Sequence, residues 1–264
     1  MKQILLVPDS FKGTLTSRQV CETMAEQLHL VFPEADITSL PVADGGEGSV
    51  EAFLAAAGGE RVELPVTGPF GEQVRGFYGL LPDGETAVLE MAACAGLPLA
   101  EGRLDPERAT TYGVGELILD AIRRGRRKVI LGLGGSCTND GGVGAAAALG
   151  AKFTRQDGTE FLPTGGTLQE ISALDCAPVA KALEGVELVA MCDIDNPLYG
   201  ENGAAYVFAP QKGADDPMVE RLDQGLRHLG QVAGRCLGRD LSQMPGAGAA
   251  GGLGFGMAAF CGAR

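Results

Sequence analysis

The run Val129-Ile130-Leu131-Gly132-Leu133-Gly134-Gly135-Ser136-Cys137-Thr138-Asn139-Asp140-Gly141-Gly142-Val143-Gly144 leaves few folds open to this chain. It starts with a short apolar stretch led by β-branched residues, which reads as a strand buried on both faces, and such strands belong to parallel sheets covered by helices. A glycine-rich polar loop follows and leads into a small-residue helix predicted over Ala145 to Leu149. Strand, glycine loop and helix in that order bring backbone N–H groups beside a helix N-terminus, an arrangement that suits phosphate. Gly134, Gly135, Ser136, Thr138, Asn139, Asp140, Gly141 and Gly142 are therefore the candidate anion-binding residues, with a tight ligand-free turn as the alternative. Two familiar phosphate loops are excluded. A dinucleotide fingerprint starting at Gly132 needs glycine where Cys137 stands, and no Gly-Lys pair is present to build a Walker A loop.

The 264 residues can bury a large core in one or two domains, and 45% apolar content with 41 glycines and no Trp points to an α/β protein rich in tight loops. A net charge of −13 argues against nucleic acid and anionic membranes as partners, because both need basic surface. It does not exclude a small anionic substrate held by one local cluster. Seven scattered cysteines without a C-x-x-C pair fit a reducing cytoplasm better than a disulfide framework or a zinc knuckle. Residues 241–263 carry no charge, yet seven glycines among them argue against a membrane span.

Along the chain, Gln3 to Val7 reads as a strand, and Thr16 with Gln19 forms a capping box that starts a helix ended by Pro33. Ile37 to Val42 is a second strand, followed by the loop Asp44-Gly45-Gly46-Glu47-Gly48 and a helix to about Ala57. That loop shares the pattern D-G-G-x-G with Asp140 to Gly144, and both are placed at strand C-terminal ends, where open α/β sheets hold ligands. Alternating runs at 61–66, 73–81 and 86–91 predict antiparallel hairpins, which sets a domain junction near Thr67: residues 1–67 in a first α/β domain and 68–264 in a second. The basic run at 123–128 is read as a solvated helix end complementing the macrodipole. A long helix is predicted from Pro217 to about Leu237.

His29 and His228 both fall inside predicted helices, so the chemistry rests on carboxylates. Asp9, Asp44, Glu47, Asp140, Asp193 and Asp195 lie at strand ends or in glycine loops, where a carboxylate can hold Mg²⁺ or accept an alcohol proton. Asp193 leads this group as catalytic base or metal ligand, because a strong apolar strand delivers it and Asn196-Pro197 fixes the next turn; Asp44 is the second metal candidate. Lys12 and Lys212 stand in glycine-bearing loops as point charges for phosphate or carboxylate.

Pro8-Asp9-Ser10-Phe11-Lys12-Gly13-Thr14-Leu15, Val42-Ala43-Asp44-Gly45-Gly46-Glu47-Gly48, Gly132 to Gly142, Cys192-Asp193, Asn196-Pro197-Leu198, Pro210-Gln211-Lys212-Gly213-Ala214 and Pro245 to Gly252 together resemble the type I glycerate kinases of bacteria, in the same order along the chain. The resemblance implies two α/β domains with a cleft between them, the first Rossmann- or flavodoxin-like and the second inserted and mixed α+β. It also implies ATP- and Mg²⁺-dependent phosphorylation of glycerate, giving 2-phosphoglycerate in most bacterial members. On that basis Asp193 and Lys12 are the expected catalytic residues and the 134–142 loop with Lys212 binds the nucleotide. Asp9, Ser10, Asp44, Gly45, Gly46 and Glu47 bind the acid, Asp193 and Asp44 the metal, and a homodimer is admissible. Family members carry a further α/β segment after the position of Arg264, which should complete the first domain. The expectation for the present chain is therefore a folded second domain, an incomplete first domain with apolar surface exposed, and weak or no kinase activity; a non-catalytic fragment or a small-molecule- or nucleotide-binding module is the rival reading.

Overall fold

The apolar run at Val129 becomes a central strand of the largest sheet in the computed structural model, which describes residues 2–11 and 14–264. In chain order these residues form β1 (Gln3–Leu6), α1 (Ser17–Val31), β2 (Asp36–Ser39), α2 (Ser49–Ala57), β3 (Glu60–Thr67), β4 (Gln73–Leu80), β5 (Thr86–Glu90), α3 (Ala92–Ala95), α4 (Tyr112–Arg123) and β6 (Lys128–Gly132). They continue through α5 (Val143–Ala148), β7 (Lys152–Thr154), β8 (Glu160–Phe161), β9 (Ala173–Asp175), α6 (Ala177–Ala182), β10 (Glu187–Met191), α7 (Ala204–Phe208), α8 (Asp216–Leu237) and α9 (Ala249–Cys261). The fold is α/β.

Five strands in the order β10-β6-β5-β4-β3 make the main sheet. β6 runs parallel to both neighbours, with Leu131 opposite Leu89 on one side and Ala190 on the other. Val129 and Leu131 are fully buried, as a central parallel strand requires. Helix α4 buries Val114, Leu117, Ile118 and Ala121 in the same core, and α8 buries Leu222, Leu226, Leu229 and Ala233 at helical spacing. The uncharged stretch near the end of the chain is a buried core helix, α9, and no described helix is long and apolar enough to cross a membrane.

A separate two-stranded parallel sheet, β1-β2, carries α1, whose capping box between Thr16 and Gln19 is present in both directions. Two strands cannot cover both faces of a sheet, and Leu5, Val7, Leu30, Val31 and Leu40 remain exposed around this unit. Across the junction expected near Thr67, β3 pairs with β4 over all eight of its residues, Glu60 to Thr67, and α2 packs on β4 and β5.

Candidate active site

Three loops meet at the C-terminal ends of β6 and β10. The Gly134 N–H donates to Gly45 O at 3.1 Å and the Leu133 N–H to Met191 O at 3.1 Å. The first two loops touch through bare backbone: a Cβ on Gly132 would lie 2.4 Å from Gly45 O, and one on Gly134 would lie 2.6 Å from the Gly46 Cα. These glycines are required by close approach, since any side chain would force the loops apart. A third contact ties in the segment after α3, where Leu97 N–H donates to Gly135 O at 2.9 Å and Cys137 N–H to Ala95 O at 3.0 Å.

Beneath this junction lies Lys212, 1% exposed, in a 3-10 turn that follows α7. Its Nζ donates to Ser136 Oγ at 2.8 Å and to Thr138 O at 2.7 Å. Burial pulls its pKa down to about 8, with nearby Cys137 and Asp140 acting in the opposite direction. A buried ammonium bonded only to neutral oxygens still lacks a counter-anion, and the N–H groups of Gly135 and Ser136 beside it donate to no acceptor among the described residues. Together they offer an anion one charged donor and two backbone donors, the floor of the cavity.

The helix N-terminus expected to hold phosphate is occupied from within. Asp140 is fully buried and accepts from Gly142 N at 3.1 Å, Gly144 N at 3.3 Å, Thr111 N at 2.8 Å and Thr111 Oγ1 at 2.8 Å, while Thr111 Oγ1 accepts from Ala145 N at 2.9 Å. The orphan donors that open α5 are thereby spent inside the protein. Asp140, Thr138, Asn139, Gly141 and Gly142 are all buried and none lines the cleft; the Asn139 amide has no hydrogen-bond partner among the described residues, and a Cβ on Gly142 would meet Gly256 Cα at 2.9 Å. Of the loop, Gly134, Gly135 and Ser136 line the cavity, and Thr138, Asn139, Asp140, Gly141 and Gly142 lie behind them.

Helix α2 is plugged in the same way. Glu90, buried at the end of β5, accepts from Gly48 N and Val50 N at 3.1 Å each, and its pKa is raised, chiefly by burial. Asp44, one turn earlier, accepts from Gly46 N at 3.1 Å but stays exposed at the cleft. The two D-G-G-x-G sequences thus share the same aspartate-to-second-glycine turn and differ in what the carboxylate faces.

Asp44, Glu47 and Asp193, all exposed, line a cavity of about 740 Å³ together with Gly134, Gly135, Ser136 and Lys212. Gly45 and Gly46 are buried in the loop contact, where they shape the wall with backbone alone. A second cavity of about 320 Å³ shares Glu47 and Pro98 with the first and is lined by the hydroxyl residues Ser10, Thr14, Thr16 and Ser17. Asp9 accepts from Ser10 N at 2.6 Å at its edge. Lys12 lies outside the described residues. Leu97, Pro98, Glu101, Gly102, Leu104, Leu133, Cys192, Ile194, Phe208, Gln211, Ala249 and Ala250 complete the larger cavity, and sequence reasoning named none of them as site residues. Ala250 had a signal, since the 245–252 run was a recognisable motif, and its φ of +52° marks it as strained backbone.

The ammonium at Lys212 sets a pH dependence. Below about 8 it is charged, and as pH rises through that value the charge and the anion affinity are both lost. The dissociation constant of inorganic tripolyphosphate is expected to climb about tenfold per pH unit on the alkaline side. Calorimetry between pH 6.5 and 9.5 checks this, and Lys212→Met should flatten the profile.

Comparison with known proteins supplies the family. The profile of the glycerate kinase family matches residues 4–264. A protein named glycerate kinase from Bacillus subtilis (strain 168) is 45% identical over 96% of this chain and 66% of its own length. Glycerate 2-kinase from Escherichia coli (strain K12) is 44% identical over 99% of this chain and 69% of its own length. A crystal structure assigned as glycerate kinase 2 from Salmonella typhimurium LT2 superposes with a TM-score of 0.87 at 41% identity, covering all of this chain and 71% of that one. The chain spans about two thirds of the length of these relatives. With its cleft at the ends of β6 and β10 and its match running from Ile4 to Arg264, the chain belongs to the glycerate kinase family.

Proposed function

We propose that this chain forms the catalytic cleft of an ATP- and Mg²⁺-dependent kinase that phosphorylates glycerate at its 2-hydroxyl. The observation that carries the reading is Lys212, buried against Ser136 in the wall of a cavity whose other lining includes Asp44, Glu47 and Asp193. A cationic floor facing carboxylates suits phosphoryl transfer, which asks the protein mainly for positioning and charge stabilisation. The phosphate chain of ATP lies over Gly134, Gly135 and Ser136 with Lys212 beneath. Glycerate occupies the smaller, hydroxyl-lined cavity with Ser10 and Glu47. Asp193 accepts the proton of the substrate hydroxyl as its oxygen bonds to the γ-phosphorus and the bond to the ADP oxygen breaks.

No three acidic, histidine or cysteine side chains among the described residues are grouped to cage a metal. That donor set fits Mg²⁺, which is commonly held by one or two carboxylates and the substrate's own phosphates. Asp44 and Asp193 would be those carboxylates. When bound, the ion neutralises charge on the phosphates. Seven unpaired cysteines accord with a reducing cytoplasm as the working compartment.

The test is ADP release by this chain with D-glycerate and MgATP, where turnover on the order of 1–100 s⁻¹ is expected. Phosphorus NMR of the product distinguishes 2- from 3-phosphoglycerate. Nucleotide binding without turnover would instead favour the binding-module reading.

A further inference from the structure

Glu90 is a buried carboxylate that takes no part in the cleft chemistry described above. It is 2% exposed at the end of β5, and burying an ionisable group costs free energy unless hydrogen bonds offset the loss of water. Its Oε2 accepts from Gly48 N and Val50 N at 3.1 Å each, at the start of α2. A helix start is ordinarily held by the side chain of the residue just before it, but that residue in α2 is Gly48, at φ +92° and with no side-chain cap. The cap comes instead from a residue 42 positions further along the chain. Glu90 stands on a strand paired with β6, in register with Gly132. The start of α2 is thereby fixed to the strand that leads into the Gly134–Ser136 floor.

The residue placed by this bond is Glu47. On one side of it, Gly46 N–H donates to the Asp44 carboxylate at 3.1 Å and Gly46 O accepts from Ser49 Oγ at 2.7 Å; on the other side, Gly48 is held by Glu90. Glu47 and Pro98 line both cavities, and of the two only Glu47 carries charge. The floor has fastenings that do not involve Glu90: Leu133 N–H on Met191 O, Leu97 N–H on Gly135 O, and Lys212 on Ser136 Oγ. Gly45, bonded to Gly134 N–H, lies on the far side of the Gly46 turn from Glu90. A shift of the α2 start would therefore move Glu47 and leave the floor in place. We propose that Glu90 is a positioning residue for glycerate: by placing Glu47 between the two cavities it sets how tightly the three-carbon acid is held, without touching it. This rests on the reading of the smaller cavity given above.

Calorimetry of the chain with D-glycerate and with inorganic tripolyphosphate tests this in wild type, Glu90→Asp and Glu90→Gln. Aspartate is one methylene too short to reach both N–H groups, so glycerate binding should weaken about tenfold while tripolyphosphate stays within about twofold of wild type. Glutamine keeps an oxygen at the same reach and should hold glycerate within about threefold of wild type. In a Glu47→Ala background Glu90→Asp should cause no further loss, because Glu90 acts through Glu47. If Glu90→Asp fails to fold, Gly48→Ala serves in its place: the added methyl meets nothing within 4 Å, while the left-handed φ strains the same hydrogen bond from the loop side. Unchanged glycerate affinity, an equal loss for both ligands, or a loss that adds to that of Glu47→Ala overturns the positioning role. Wild type binding tripolyphosphate but not glycerate overturns it together with the reading of the smaller cavity and leaves the floor intact; binding of neither ligand overturns the floor as well.

Discussion

Replacing Asp140 with Asn is expected to lower the unfolding free energy by about 3–5 kcal/mol, a large effect for a substitution of nearly equal volume. Asp140 Oδ2 accepts from Thr111 N, Thr111 Oγ1 and Gly144 N, and Oδ1 accepts from Gly142 N. An amide can place only one oxygen in this nest, so its NH₂ must face donors on the other side, in a site fully closed to water. Turning the amide only exchanges which donors are lost. Urea unfolding of the two proteins measures the difference, and a loss below about 1 kcal/mol would contradict this account.

The effect has a pH signature. Burial raises the Asp140 pKa, while the four donors pull it back only in part. The folded chain therefore holds the proton more tightly than the unfolded one. The group's contribution is largest below the ordinary aspartate value of about 3.9 and declines as pH rises to the raised value.

Asp193→Asn is expected to reduce kcat by about 10²–10⁴-fold with little change in KM for glycerate, as the loss of a group that acts in the transition state would do. Asp193 is exposed, follows β10 by two residues and lines the cavity, so the variant should fold normally. Steady-state kinetics with D-glycerate and MgATP decide the matter. Equal turnover would remove Asp193 from the chemistry, and a rise in KM alone would make it a binding group.

Local order was readable in the sequence wherever a few neighbouring residues carry it. The Thr16–Gln19 cap and the β-branched run of β6 depend on little beyond themselves, and both were legible. The division of labour inside the glycine loop was not. Whether the aspartate of D-G-G-x-G faces solvent or core is decided by a residue far along the chain. Thr111, 29 positions before Asp140, draws it inward, whereas the helix after Asp44 is capped by Glu90, 42 positions after Gly48, which leaves Asp44 at the cleft. Leu104 and Phe208 escaped notice for a related reason: an apolar residue in a loop reads as packing until the opposite wall is known.

The caps also fasten the chain on either side of Asp44. Val42 N–H donates to Ser17 Oγ, which in turn donates to Pro8 O, so the chain up to Val42 is fastened to the β1-β2 unit. From Gly45 onward it is fastened to the main sheet, through Gly134 N–H on Gly45 O and through Glu90 on Gly48 and Val50. Ala43 and Asp44 join these two fastened stretches, and the Asp44 carboxylate is itself held, accepting from Gly46 N–H. The wall that Asp44 gives the cavity is therefore set by bonds on both sides of it, at Ser17 before and at Gly134 and Glu90 after.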